Sequence, residues 1–246
     1  MNLLEKVNIL DIYFDRLDMQ AAADRALELA RSDVQGYIVT PNAEIVYACQ
    51  KDKQLAEIIN GASMVVADGA GVVLASKILK GATLSRVPGI ELGEHLCERL
   101  GKSGGKLFLY GAKQGVAEIA AQKLAEKHPS LNICGICDGY ENDTDKIIAQ
   151  INQSGADVVF VCLGSPRQEI FITTHLHKTC ARLMIGLGGS LDGYAGTVKR
   201  APKFFRKLGL EWFYRLIKQP SRIGRMMSLP KFLFRVVRVR MFGPKR

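Results

Sequence analysis

Six short apolar runs, each followed by a turn rich in glycine or polar residues, set the tightest limit on what this chain can fold into. They are Gly36–Thr40, Ser63–Ala67, Lys106–Tyr110, Leu131–Cys137, Asp157–Leu163 and Arg182–Leu187. Amphipathic stretches at helical period lie between them, among them Asp18–Arg31, Gln114–Lys127 and Asp143–Gln153. Runs that are apolar throughout, rather than alternating, mark strands buried on both faces. Strands that alternate with helices mark crossover units. The expectation is therefore an α/β fold, a mostly parallel sheet with helices on both faces. A further strand near Val7–Phe14 is expected at an edge.

In a parallel sheet the turns after the strands share one rim, where ligands of such sheets bind. Here those turns read Pro41-Asn42-Ala43-Glu44, Asp68-Gly69-Ala70-Gly71, Gly111-Ala112-Lys113-Gln114-Gly115, Gly164-Ser165-Pro166-Arg167-Gln168-Glu169 and Gly188-Gly189-Ser190-Leu191-Asp192-Gly193. Any one of them is ordinary turn chemistry, a glycine for the bend and a polar helix cap. Five on one rim suggest a composite site for a polar, phosphate-bearing ligand.

Charge divides the chain differently. Residues 199–246 hold fifteen Lys or Arg and one acid, Glu211, a balance of +14, while the whole chain is only +10. Residues 1–198 therefore sum to −4. The reading is an α/β catalytic body, 1–198, and a basic C-terminal appendage, 199–246. In the appendage Phe204, Leu208, Trp212 and Leu216 form an apolar helical stripe. Arg215, Lys218, Arg222 and Arg225 fall on one face if the helix continues past Pro220, and Pro220 and Pro230 each break or restart it. Residues 231–242 mix bulky apolar side chains with arginines, which suits an anionic membrane interface. Each Lys or Arg near such a surface adds about 1 kcal/mol. Nucleic acid is the rival partner, but a phosphate-backbone binder has no need of this apolar content. The Asn2–Asp11 stretch forms no signal-peptide core, and no uncharged apolar run reaches the roughly 18 residues of a membrane span. These features point to a cytoplasmic protein, held peripherally at the membrane.

Single motifs discriminate less. Thr40-Pro41 reads as a helix start with Thr40 as N-cap and Pro41 in the first turn, and exposed Thr40 and Asn42 side chains there can also hold phosphate or hydroxyls. Asp68, at the end of an apolar strand, is either a partly desolvated general base or the cap of a helix over Ala70–Leu79. Gly111–Gly115 lacks the lysine-serine pair of an ATP-binding loop, and Gly186-Leu-Gly188 lacks the third small residue of a dinucleotide fingerprint, which argues against an NAD oxidoreductase. The Asp143-Thr144-Asp145 triplet opens a helix, where acids offset the helix dipole rather than gather a metal. Cys134 and Cys137, in a strand, read as two buried thiols, and the six cysteines do not form a disulfide framework. His175, His177 and Cys180 fall on different sides of a helix. No metal and no cofactor is expected.

Taken together, these stretches resemble the WecG/TagA/CpsF glycosyltransferases of bacterial surface polysaccharide and wall teichoic acid synthesis. The matching segments are Thr40-Pro-Asn-Ala-Glu44, Ala67-Asp-Gly-Ala-Gly-Val-Val73, Arg86-Val-Pro-Gly89, Leu163-Gly-Ser-Pro-Arg-Gln-Glu169, Gly188-Gly-Ser-Leu-Asp192 and Arg200-Ala-Pro, followed by Gly209–Arg215, Pro220 and Arg222. They span nearly the whole chain in order. The resemblance implies a Rossmann-like body and inverting transfer of an N-acetylmannosamine-type sugar. The donor is a UDP-sugar and the acceptor N-acetylglucosamine on undecaprenyl diphosphate; relatives also use N-acetylmannosaminuronic acid or glucose. It further implies a metal-independent reaction and a peripheral membrane protein whose C-terminal appendage helps to build the site. By resemblance as well as position, Asp68 is the candidate base. Arg86, Arg215, Arg222 and Arg225 are candidates to neutralise the departing diphosphate. Thr40, Asn42 and Gln168 are candidates for sugar hydroxyls or phosphate, and Asp192 for the nucleoside. A homo-oligomer stays among the partner readings, because a body exposing the tail's docking surface can self-associate.

Overall fold

The computed structural model describes residues 5–198 and 227–243, together with 202, 205 and 214. The chain opens with a hairpin, β1 (Lys6–Ile9) against β2 (Ile12–Asp15), antiparallel and separate from the main sheet. This corrects the single edge strand expected near Val7–Phe14. The reversal at Leu10-Asp11 has both residues at positive φ, 52° and 65°, the twist a two-residue hairpin needs. Its strain is offset by side chains that tie it down. Asn8 Oδ1 accepts from the Asp11 amide, Gln50 Nε2 donates to the Leu10 carbonyl and Asn60 Nδ2 to that of Asp11.

Next come α1 (Met19–Ala30), β3 (Gly36–Val39), α2 (Ala43–Cys49), α3 (Lys53–Asn60), β4 (Met64–Val65), α4 (Ala70–Ile78), α5 (Gly89–Ser103) and β5 (Lys106–Gly111). They are followed by α6 (Val116–Lys127), β6 (Asn132–Cys137), α7 (Thr144–Ser154), β7 (Val158–Cys162), α8 (Arg167–His175), β8 (Leu183–Gly186) and α9 (Ser190–Ala195). A last helix, α10, covers Ser228–Phe242. The six apolar runs are the six strands of one sheet, ordered β4-β3-β8-β7-β5-β6 and parallel at every pairing.

Both faces are buried, as runs without alternation require. Val158 and Phe160 of β7 join one core with α1, α5, α6 and α9. Val159 and Val161 face the opposite way, into a core with α7 and α8. A third cluster lies under α2, α3, α4 and the hairpin. The hairpin also protects the edge of the sheet: the buried Asp15 carboxylate accepts the Val65 amide at 2.8 Å. An unpaired edge amide thereby gains a side-chain partner in place of a neighbouring strand.

Helix α10 closes the third cluster. It packs on α2 and α4, and Phe232 and Val236, one turn apart, are completely buried there. The opposite side leaves Phe234, Met241 and Phe242 exposed. Pro230 falls in the first turn of α10, where a missing amide breaks no helical bond. Leu229 lies so close to α4 that a Cβ on Gly71 would come within 2.8 Å of its Cδ1. The stripe through Phe204 to Leu216 lies outside the described residues.

Candidate active site

Strand order creates the crevice. After β3 the chain turns into α2 on one face of the sheet, and after β8 into α9 on the other. Adjacent strands whose following helices diverge leave a cleft at their carboxyl ends, the position where parallel sheets bind ligands. The exits of β4, β3, β8 and β7, neighbours in that order, carry Asp68, Thr40 and Asn42, Asp192, and Gln168 along this edge.

Thr40, half-buried, donates from Oγ1 to the Gly186 carbonyl at 3.4 Å, joining the β3 and β8 exits. It does not cap the helix, contrary to the Thr40-Pro41 reading. Asn42 does: its backbone is extended and its Oδ1 accepts from the Ile45 amide at 3.1 Å. Pro41 stays in the turn, and its carbonyl accepts the Asp68 amide at 3.3 Å, stitching the β3 and β4 exits together. Asp68 is half-buried. The N-cap position of α4 falls on Gly69, at φ 103°. The Val87 amide donates to the Ala67 carbonyl at 2.9 Å, so the backbone carrying Arg86 runs beside the backbone carrying Asp68.

Gln168, in the first turn of α8, is buried and reaches across to β8. Its Oε1 accepts the Gly188 amide at 2.8 Å. The side chain lies flat on Gly186, where an added Cβ would meet Nε2 at 2.8 Å. Gly186 thus serves close approach at a position first noted only as part of a failed nucleotide fingerprint. Asp192, half-buried in the first turn of α9, accepts from Thr197 Oγ1 through its backbone oxygen at 3.1 Å and through Oδ1 at 3.4 Å. Arg215, Arg222 and Arg225 lie outside the described residues.

Beside Gln168 the sequence reading passed over Glu169. Its side chain is 1% exposed, and its Oε1 accepts from Gln168 Nε2 at 2.9 Å. Burial pushes its carboxyl above the usual carboxylate range. The signal available in the sequence was an acid directly after Gln168, at the strand-to-helix turn.

The remaining motifs take structural places. Asp143 caps α7 through Lys146 N, and Asp145 sits in its first turn. Among the described residues no group of three His, Cys, Asp or Glu is arranged to hold a metal. Cys134 and Cys137 are unpaired in β6, the first half-buried and the second buried, with burial pushing the Cys137 thiol up to about 11. No helix among the described residues is long and apolar enough to cross a membrane.

A doubly wound parallel sheet whose strand exits carry polar and carboxylate side chains at its switch point has the layout on which α/β proteins bind their ligands. The chain belongs to the WecG/TagA/CpsF glycosyltransferase family, whose sequence model matches residues 7–246. It is 39% identical over 201 residues to the N-acetylglucosaminyldiphosphoundecaprenol N-acetyl-beta-D-mannosaminyltransferase of Bacillus subtilis (strain 168), covering 82% of this chain and 78% of the relative. It is 36% identical over 237 residues to the protein of the same name from Staphylococcus aureus (strain MRSA252), covering 96% and 93%.

Proposed function

We propose that this chain transfers N-acetylmannosamine from its UDP derivative to N-acetylglucosaminyl-diphospho-undecaprenol, with inversion at the anomeric carbon. What supports this reading is that Thr40, Asn42, Asp68 and Gln168 stand on the exits of strands β3, β4 and β7 along one rim, in a chain similar over most of its length to transferases of that name. Inversion needs a single displacement. Asp68 takes the proton of the acceptor hydroxyl as its oxygen attacks the anomeric carbon, and UDP departs from the opposite side. Asp68 suits this role because it directly follows the buried run Met64–Ala67 and its backbone amide is held by the Pro41 carbonyl. The departing diphosphate is neutralised by Arg86 and by Arg215, Arg222 and Arg225 of the basic appendage, in place of a metal. Thr40, Asn42 and Gln168 hold sugar hydroxyls or phosphate, and Asp192 the nucleoside.

The acceptor is a membrane lipid, and α10 presents a surface suited to an anionic bilayer. Phe234, Met241 and Phe242 are exposed among exposed Lys231, Arg235 and Arg240. Apolar side chains enter the interface while the cations meet phosphate.

The test offers UDP-N-acetylmannosamine and a soluble short-chain analogue of the lipid acceptor and follows UDP release, with UDP-N-acetylmannosaminuronic acid and UDP-glucose as parallel donors. Turnover is expected with the first donor, undiminished by a chelator. Asp68→Ala is expected to lower kcat by about 10²–10⁴-fold, the range for loss of a general base, and Arg222→Ala to lower it as well. No turnover with any UDP-sugar would overturn the reading.

A further inference from the structure

We infer that Glu169 is a positioning residue, which locks the amide of Gln168 in the one orientation that serves the cleft. The inference rests on the proposed transfer only for its activity readout. Gln168 is gripped at both ends: Gly188 N–H donates to Oε1 at 2.8 Å, and Nε2 donates to Glu169 Oε1 at 2.9 Å. Rotating the amide by half a turn would set its carbonyl against the Glu169 carboxyl and its NH2 against the Gly188 N–H, two repulsions in place of two hydrogen bonds. One Nε2 hydrogen is committed to Glu169, so the second is the donor this side chain has left for a ligand. The same side chain rests on Gly186, whose carbonyl accepts from Thr40. The Gln168 side chain thus packs on the same residue that Thr40 joins to the β3 exit.

Glu169 is built to hold a neighbour rather than to meet solvent. It is 1% exposed, with only the Gln168 amide and the Ser165 side chain beside its carboxyl. A buried carboxyl is costly to keep. Burial raises its pKa. Oε1 accepts from Nε2 as a carbonyl oxygen would. The amide of a glutamine at this position can do the same.

Three variants test the assignment: Glu169→Gln, which keeps the acceptor, Glu169→Met, which keeps the volume without it, and Gln168→Ala. Each is checked for folding by its melting transition. In the transferase assay Glu169→Met is expected to lower kcat/KM for the UDP-sugar about tenfold, the worth of one oriented hydrogen bond, and Glu169→Gln to stay within about twofold of wild type. In the Gln168→Ala background Glu169→Met should then change little, since a residue acting through Gln168 has nothing left to position. A second readout needs no turnover: hydrogen exchange at the Gly188 amide should quicken about tenfold in Glu169→Met and hold its wild-type rate in Glu169→Gln. Wild type without transferase activity overturns the proposed function, and the exchange measurement then decides the positioning role alone. Unchanged exchange at Gly188 in Glu169→Met, equal damage from the Gln and Met variants, or additive losses with Gln168→Ala would overturn it.

Discussion

Phe232 and Phe234 offer a controlled experiment on the terminal helix. They are the same residue type two positions apart on α10, yet Phe232 is 0% exposed and Phe234 73% exposed. Replacing Phe232 by alanine empties a site between α2 and α4, with little means of collapse because Val236, Val46 and Val72 around it are themselves fully buried. Such a change costs about 3–5 kcal/mol. For a chain of this size each kcal/mol lowers the melting temperature by about 2–4 °C, so Phe232→Ala should melt about 6–20 °C below wild type. Phe234→Ala removes an exposed ring and should stay within about 0.5 kcal/mol. The assay is thermal unfolding by circular dichroism, paired with hydrogen exchange over α10, which identifies whether the helix opens before the body. Binding to vesicles with anionic headgroups should show the reverse order, with Phe234→Ala weaker and, below its melting point, Phe232→Ala unaffected. Equal stability losses for the two variants, or a larger one for Phe234→Ala, would refute the assignment of the inner face.

Four further outcomes follow from single contacts. Gly186→Ala drives a Cβ to 2.8 Å from Gln168 Nε2; kcat/KM should fall about tenfold while the circular dichroism spectrum is retained. Asp15→Ala leaves the buried Val65 amide without its acceptor and should cost about 1–3 kcal/mol in a denaturant titration. Glu169→Gln should stabilise the protein at neutral pH. A carboxyl whose pKa is raised by folding loses stability as pH climbs from its unfolded value through its folded one, so the gain should vanish below the ordinary glutamate range. A thiol reagent at pH 8 should modify exposed Cys180 first, because burial pushes Cys137 up to about 11 and Cys49 and Cys162 up to about 12; all six should react in denaturant.

All six strands were legible because strands buried on both faces read as unbroken apolar runs. Their lateral order was not, since it depends on which helix crosses which face. The hairpin escaped because its turn, Leu10-Asp11, has none of the Asn-Gly or Gly residues that announce a reversal; Asn8, Gln50 and Asn60 hold it from a distance instead. The cap of α2 moved from Thr40 to Asn42 because the Thr40 hydroxyl is used across the sheet on Gly186. Asp68 drew attention as a polar residue directly after an apolar run, and Gln168 as part of the polar turn that follows β7. Glu169 was not, because its role depends on an amide orientation that arises only when β7 and β8 lie side by side. The inner face of α10 had a written signal in Leu229, Phe232, Val236 and Val239, spaced at helical period beneath the arginines. Its charge drew attention to the outer face instead.

The seating of Phe232 and Val236 beneath the helices that follow Thr40 and Asp68 also has a consequence for biogenesis. Synthesis runs from the N-terminus at about 5–20 residues per second. The sheet is complete once β8 has been made, about 2–9 s before Phe232 is added at that rate. Until then α2 and α4 lack their outer cover, and the nascent chain carries an open apolar seam beside a half-supported cleft. A ribosome that stops short of α10 would release a body with its strands in place and the helices after Thr40 and Asp68 unbraced, the form most exposed to chaperones and proteases.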